Sequence, residues 1–328
     1  MKPDSLLPQP VNAGVANGTA FTVYGAGQPL VFIHGVGMGK VVWAPQIAAF
    51  AGQYQVIVYD MLGHGDSKLP PEGVTLQMYA QQLADLLDHL KIKAAVVVGH
   101  SMGALIALEF AIRYPERTTK VAALNAVYAR TAEQRKAVMQ RAETLRDIGI
   151  AATVDSTMER WFGNSTPAAL TDVAELVHTL LQSINTLGYA RTYDLFASSD
   201  QIHVHSLPGL KAPALFMTGE CDLNSSPAMS AAMAQAAPNA QLVVIPGERH
   251  MMSLTAAAEV NRHLSMFINT TTPSEKYSAA YSKRQGDECN DRINDRYDGV
   301  SQGTRIVCHW RDGGGNDPGR WHAAWLYR

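Results

Sequence analysis

Gly99-His100-Ser101-Met102-Gly103 is the stretch on which the reading of this chain turns. It has the form G-x-S-x-G. The apolar run Ala94-Ala95-Val96-Val97-Val98 precedes it, and the helix-forming run Ala104-Leu105-Ile106-Ala107-Leu108-Glu109-Phe110-Ala111 follows. A serine on so short a turn between strand and helix projects its hydroxyl at the carboxyl end of the strand, where open α/β sheets bind ligands. The two glycines permit a sharp backbone and a close approach of neighbouring elements. The alternative is a glycine-rich structural turn with an idle serine.

Outward from this motif, apolar runs alternate with helical patterns. Ala20-Phe21-Thr22-Val23-Tyr24, a turn at Gly25-Ala26-Gly27-Gln28-Pro29, and Leu30-Val31-Phe32-Ile33 read as strand, turn, strand. Val56-Ile57-Val58-Tyr59, Ala95-Val96-Val97-Val98, Val121-Ala122-Ala123-Leu124, Ala214-Leu215-Phe216-Met217 and Leu242-Val243-Val244-Ile245 read as further buried strands. Leu76, Tyr79, Leu83, Leu86, Leu87 and Leu90 fall at helical spacing behind Thr75, an N-cap residue type. The alternation predicts right-handed βαβ units and a mainly parallel sheet. Residues 129–206 are helical in pattern and rich in arginine (130, 135, 141, 146, 160 and 191), so they read as a cap over Ser101. Ordinary crossover helices are the alternative there. Residues 1–19 read as an N-terminal arm. Residues 20–128 and 207–269 read as the core, and 270–328 as an atypical tail, poor in large aliphatic residues, that is expected to be disordered or loosely docked.

The chain has 328 residues, 47% of them hydrophobic, enough for one large α/β domain with a sizeable core. Its 27 basic and 29 acidic residues leave a net charge of −2, which argues against a nucleic-acid surface. The 3 cysteines have neither metal-ligand spacing nor the count of a disulfide framework, so a reducing cytoplasm is expected. No apolar run reaches the roughly 18 residues of a membrane span. No P-loop, dinucleotide fingerprint or H-E-x-x-H cluster occurs, so no metal and no cofactor is expected. The expected partner is a small-molecule substrate, with neither nucleic acid nor membrane; a homo-oligomer stays open.

A serine hydroxyl needs an adjacent base to act as a nucleophile at neutral pH. On a strand–serine–helix turn of this kind the acid and then the histidine follow the serine along the chain. His250, in the loop Pro246-Gly247-Glu248-Arg249-His250 after the last strand, is the leading base; His263, inside the next helical pattern, is its competitor. Asp222, just past the strand at 214–217, is the leading acid and Glu220 the runner-up; Glu248 reads as solvated or supporting. The Asn125-Ala126-Val127-Tyr128 stretch after the preceding strand offers no carboxylate. A tetrahedral oxyanion needs preorganised donors. The amides of Met102, directly after the serine, and of Val36, in the loop His34-Gly35-Val36-Gly37, are the candidates. His34 itself reads as structural. Asp60 through Ser67 precedes the serine and reads as a structural loop.

Together, His34-Gly35-Val36-Gly37, Asp60 through Ser67, Gly99 through Gly103, Gly219 through Asp222 and His250 resemble the α/β-hydrolase superfamily over about residues 20–269. The resemblance implies a mainly parallel sheet flanked by helices, with a helical cap inserted after the sixth sheet strand. Within the superfamily the chain is similar to the 3-oxoadipate enol-lactonase group. The similarity includes the cap stretch Glu159-Arg160-Trp161-Phe162, preceded by Arg141 and Arg146. The elbow departs from that group, which usually carries Leu where this chain has His100, and it also resembles general esterases. The resemblance implies a cofactor-free serine hydrolase of a small ester or lactone, with Ser101, Asp222 and His250 catalytic. Arg160 and Trp161 would contact a carboxylate-bearing substrate. Hydrolysis of an enamide, or of a carbon–carbon bond in a ring-fission product, is the second reading. A non-catalytic binding protein of the same fold is the third. A carboxylate nucleophile, as dehalogenase or epoxide-hydrolase chemistry requires, is excluded by Ser101.

Overall fold

Four of the apolar runs, at 30–33, 56–59, 95–98 and 121–124, become the middle of a sheet, buried on both faces. The structure, a computed structural model, describes residues 7–270 and the backbone of 304–309 and 322–327. Its strands are β1 (Pro10–Ala16), β2 (Thr19–Tyr24), β3 (Gln28–Ile33), β4 (Tyr54–Tyr59), β5 (Ala95–His100), β6 (Thr118–Leu124), β7 (Ala214–Gly219) and β8 (Ala240–Ile245). They lie in the order β1-β2-β4-β3-β5-β6-β7-β8. The β1–β2 and β2–β4 pairs are antiparallel; every pair from β4 onward is parallel. Leu30–Ile33 of β3 and Ala95–Val98 of β5 have no exposed surface. Each large side chain so buried contributes roughly 1.5–3 kcal/mol by leaving water, so the middle strands are held by burial as well as by their ladders.

The helices cover both faces of this sheet. They are α1 (Ala44–Phe50), α2 (Leu76–His89) and α3 (Met102–Arg113), then α4 (Ala132–Ile148), α5 (Val154–Phe162), α6 (Thr171–Ser183) and α7 (Thr186–Ser198). Then come α8 (Pro227–Ala236), α9 (Met252–Thr255) and α10 (Ala257–Asn269). In α2 the buried positions Leu76, Tyr79, Leu83, Leu86 and Leu87 form the expected stripe, and Thr75 Oγ1 accepts from the Met78 amide at its start. Helices α4 to α7 all fall between β6 and β7, the place expected for the insertion. Its two ends are tied together: Asp200 accepts from the Ala129 amide through its carbonyl, and from the Arg130 amide through its carboxylate, 2.8 and 2.9 Å away.

Three features add to the sequence reading or differ from it. The segment read as an N-terminal arm contains β1, an edge strand whose residues are exposed except Ala16, so no apolar run announces it. The strands at 19–24 and 28–33 are not neighbours, because β4 lies between them. β8 sits at the edge of the sheet and is only partly buried. The tail beyond 270 lies outside the described residues, apart from two short strands, β9 (Thr304–His309) and β10 (His322–Tyr327), which pair antiparallel. Among the described residues no helix is long and apolar enough to cross a membrane.

Candidate active site

Ser101 sits between β5 and α3 with φ +56° and ψ −116°, a conformation that L-residues rarely adopt and that typically costs about 1–3 kcal/mol. The neighbouring glycines explain how it is held. A Cβ on Gly99 would lie 1.9 Å from the Gly103 carbonyl oxygen, and one on Gly103 would lie 2.2 Å from that of Ile33. Both obstacles are backbone. Glycine at these positions lets α3 pack directly on its own strand and on β3, and that packing fixes the turn carrying the serine.

Asp222 and His250 emerge at the same sheet edge, from the loops after β7 and β8. His250 Nδ1 donates to Asp222 Oδ2 at 2.8 Å. Asn125 Nδ2 donates to the same oxygen at 2.7 Å, while the amides of Asn224 and Ser225 donate to Oδ1 at 2.8 and 3.1 Å. Burial alone would raise the Asp222 carboxyl. The charge of His250 and the hydrogen bonds from His250, Asn125 and Asn224 outweigh it and hold the group below its ordinary value. It is thus a buried, ionised, four-times-bonded carboxylate. An imidazole whose Nδ1–H faces such a group presents Nε2 as a base. Ser101 and His250 line one cavity, with no hydrogen bond between them among the described residues. Such bonds commonly tighten only when substrate is present.

Three further histidines build the surrounding walls. His34 Nδ1 donates to the Gly35 carbonyl and its Nε2 accepts from the Met61 amide. His64 Nδ1 donates to the Leu62 carbonyl and its Nε2 accepts from the Gly37 amide. These two rings stitch the loop after β3 to the loop after β4. His100 Nε2 donates to the His250 carbonyl at 2.7 Å. Burial, the largest cause in each case, pushes His34 down to about 4, and His64 and His100 down to about 3. All three are neutral at physiological pH and serve as hydrogen-bonded struts. The amides of Val36 and Met102 have no hydrogen-bond partner among the described residues. The Met102 amide opens α3, where the helix dipole favours negative charge.

The cap closes over this edge and leaves a cavity of about 150 Å³. Three cap arginines line it: Arg130, Arg141 and Arg160. They differ in what surrounds them. Arg130 lies 3.6 Å from Asp200, donates to the Phe196 and Ala197 carbonyls and stacks over the Phe196 ring, so its charge is compensated. Among the described residues Arg141 hydrogen-bonds a phenol, its Nε donating to Tyr193 Oη at 3.3 Å. Arg160 donates to Thr157 Oγ1 at 2.8 Å and to Ser156 Oγ at 3.4 Å, and its buried Nε has no partner. Neither Arg141 nor Arg160 pairs with a carboxylate among the described residues. Burial first, and then the charge of Arg141, lower the Arg160 guanidinium below its ordinary value. Among the described residues, two neighbouring cations thus stand in the cavity without a carboxylate hydrogen-bonded or ion-paired to them.

The structure therefore gathers Ser101, His250, Val36, Arg160 and Trp161 around one cavity, with Asp222 behind His250 and Met102 beside Ser101. Residues read as alternatives fall elsewhere. Glu220 accepts from the Gly247 amide, Glu248 is buried and accepts from Thr255, and His263 lies on α10 beside Arg262. Cys221 is buried and disulfide-bonded, although the sparse cysteine count carries no sign of a disulfide. Two residues escaped the sequence reading. Asn125 was passed over because the position after β6 lacks a carboxylate, yet it braces the carboxylate supplied after β7. Arg141 was one of several cap arginines; only its lack of an acidic neighbour in space distinguishes it. Trp161 does more than line the cavity, since its ring stacks on His250 with centroids 5.5 Å apart and planes 27° apart.

Comparison with known proteins agrees with this architecture. A model of the alpha/beta hydrolase family matches residues 30–263. The chain is 37% identical over 247 residues to the (E)-2-((N-methylformamido)methylene)succinate hydrolase of Acinetobacter baylyi, spanning 75% of this chain and 92% of that protein. It is 33% identical over 187 residues to 3-oxoadipate enol-lactonase 2 of the same organism, spanning 55% of this chain and 68% of that protein. Among solved structures, the enol-lactonase of Burkholderia xenovorans superposes with a TM-score of 0.73 at 27% identity, over 79% of this chain and 100% of that one.

Proposed function

The chain belongs to the alpha/beta hydrolase family, and on that footing we propose that it is a cofactor-free serine hydrolase. Its substrate is a small, carboxylate-bearing ester or enol-lactone, cleaved through an acyl-enzyme. Ser101 Oγ attacks the carbonyl carbon while His250 Nε2 takes its proton. Asp222 keeps the imidazole in the required tautomer and stabilises the imidazolium. The amides of Val36 and Met102 receive the oxyanion. His250 returns its proton to the leaving group, and water, deprotonated by His250, releases the acid from Ser101. The observation that carries this reading is the strained Ser101 beside a His250–Asp222 pair in a cavity that also holds Arg141 and Arg160. The pair supplies the base, and the two arginines supply the reason for a carboxylate on the substrate.

A second reading keeps every residue and changes the bond. The relative at 37% identity is named for an enamide of a methylenesuccinate, which bears two carboxylates and an amide bond. In that case His250 protonates an enamine nitrogen rather than an enolate oxygen. The full-length chain should be assayed side by side with an enol-lactone, a simple ester and an enamide, each with and without a carboxylate. The reading expects carboxylate-bearing substrates to be preferred, and Ser101→Ala to lose about three orders of magnitude or more in rate. A Ser101→Ala variant with full activity overturns the mechanism, and indifference to the carboxylate overturns the substrate class.

A further inference from the structure

The His250 ring touches two other rings. His100 approaches it from the elbow with centroids 4.9 Å apart and planes 54° apart, and Trp161 comes down from α5 of the cap to stack at 5.5 Å and 27°. The charged and titratable groups near His250 are few. Asp222 faces Nδ1, His100 is buried and hydrogen-bonded to the His250 carbonyl, and Arg249 is the preceding residue. Arg130, Arg141 and Arg160 line the same cavity. Asp222 places negative charge against Nδ1, while Arg141 and Arg160 place positive charge in the cavity that the ring lines. Ser101, Tyr189 and Tyr193 also line this cavity, and the indole face lies against the ring that receives the proton. A cation within about 6 Å of an indole centroid is attracted by the ring quadrupole, more strongly when water is excluded.

From this geometry we propose that Trp161 acts on His250 rather than on the substrate: it is the positioning residue through which the cap stabilises the imidazolium formed when Ser101 attacks. The inference rests on the reading of His250 as the general base. Its consequence is a coupling of cap to chemistry. With α5 seated, the indole offsets part of the repulsion that Arg141 and Arg160, in the same cavity, exert on a protonated His250. With α5 displaced, that compensation is lost, so proton transfer is favoured when the cap covers the cavity. This explains why a tryptophan follows Arg160. The arginine binds charge in the cavity, and the adjacent aromatic limits what that charge does to the base.

The test compares Trp161→Phe and Trp161→Ala in the full chain by two independent readouts. The first follows the His250 ring by NMR across pH in a Ser101→Ala background, which needs no turnover. The titration midpoint is expected to move to lower pH by about half a unit to one unit in Trp161→Ala, and by less in Trp161→Phe, which keeps an aromatic face. The second is hydrolysis of p-nitrophenyl acetate, where kcat should fall about 3- to 10-fold in Trp161→Ala with KM within twofold, and Phe should restore part of it. An unmoved midpoint overturns the proposal. So does a rise in KM at constant kcat, which would return Trp161 to the substrate, and so does an equal loss in both variants, which would mark a packing role. Retention of hydrolysis by Ser101→Ala would instead overturn the serine mechanism, while the titration would still report on the contact.

Discussion

A methyl group added at Gly103 would sit 2.2 Å from the Ile33 carbonyl oxygen, whereas on the cap Arg160 carries a buried Nε with no hydrogen-bond partner among the described residues. The elbow is over-determined. Its glycines, its strained serine and its neutral histidines are each held by several contacts with the main chain of β3, β5 and the loops beside them. The cap is under-determined, with charged groups standing in its cavity unanswered. The difference separates two tasks. On the proposed mechanism a nucleophile and its base must be placed within about half an ångström before substrate arrives, and Ser101 and His250 both stand on sheet-borne loops. A site that selects by charge, as proposed for the cap, must leave a charge unsatisfied until substrate supplies the counter-charge.

The largest expected effect breaks the elbow side of that comparison. Asp222→Asn replaces a carboxylate that accepts four hydrogen bonds with an amide that has one acceptor oxygen. Its NH₂ group must then face either the donors Asn125 and His250 or the amides of Asn224 and Ser225. His250 loses the partner that fixes its tautomer. A fall in kcat of about 10⁴-fold is expected, with KM little changed, in steady-state kinetics on a small ester. A fall of less than about tenfold would show that the His250–Asp222 contact does not serve the chemistry.

The two regions also differ in how far they could be read from the chain. The elbow was legible because its determinants are local. Five consecutive residues, an apolar run before them and a helical run after them define the turn, and the order of acid and histidine along the chain then narrows the choice. The cap was legible as helices but not as a binding site. Six arginines look alike in sequence; in space Asp200 pairs with Arg130 and Arg135, Asp194 pairs with Arg146, and Arg191 donates to a carbonyl. Among the described residues Arg141 and Arg160 then remain in the cavity without an acid paired to them, and no spacing rule foretells which survive. Asn125 was hidden for a related reason. Its contribution is a hydrogen bond to a residue 97 positions away. β1 was hidden because an exposed edge strand carries no apolar run.

Acid tests the elbow side as a whole. His34, His64 and His100 are buried neutral, held down to about 4, 3 and 3, against an ordinary value near 6.5 once unfolded. Below pH 6.5 the unfolded chain binds these protons and the folded one does not, so stability falls as pH drops toward 4. Three such groups give a slope of about 4 kcal/mol per pH unit near pH 5. Denaturant midpoints at pH 7, 5.5 and 4.5 should decline steeply, and His100→Gln should remove about one third of that slope. A flat profile over this range would show that the rings are not the struts described.

On the cap side the expected effects are smaller and selective. Arg160→Met and Arg141→Met keep much of the apolar stem and remove the charge. Each should cost about 10- to 100-fold in kcat/KM for a carboxylate-bearing substrate, the range of a charge-assisted hydrogen bond, and leave a neutral ester within about threefold. Arg130→Met serves as the contrast. Because Asp200 already answers its charge, its loss should weaken folding, by leaving Asp200 with fewer donors, more than it weakens selection. Equal losses for charged and neutral substrates in the Arg141 and Arg160 variants would remove the distinction between a sheet that reacts and a cap that selects.

The smallest effect probes the join between the two. Thr131 and Gln134 form a reciprocal cap at the start of α4: Thr131 Oγ1 accepts from the Gln134 amide at 3.2 Å, and Gln134 Oε1 accepts from the Thr131 amide at 2.9 Å. The pair is exposed, yet α4 carries Arg141, and Gln134 itself lines the cavity. Thr131→Ala should cost about 1 kcal/mol of helix stability, as loss of an N-cap commonly does, and lower Tm by about 2–4 °C. If selection resides in a cap whose arginines stand free, loosening the first turn of α4 should also lower kcat/KM for the carboxylate-bearing substrate about two- to fivefold. The neutral ester, which needs only the sheet-borne residues, should be unaffected. Its decline in step with the charged substrate would mean that the α4 terminus supports the elbow directly, and that cap and sheet act as one rigid unit.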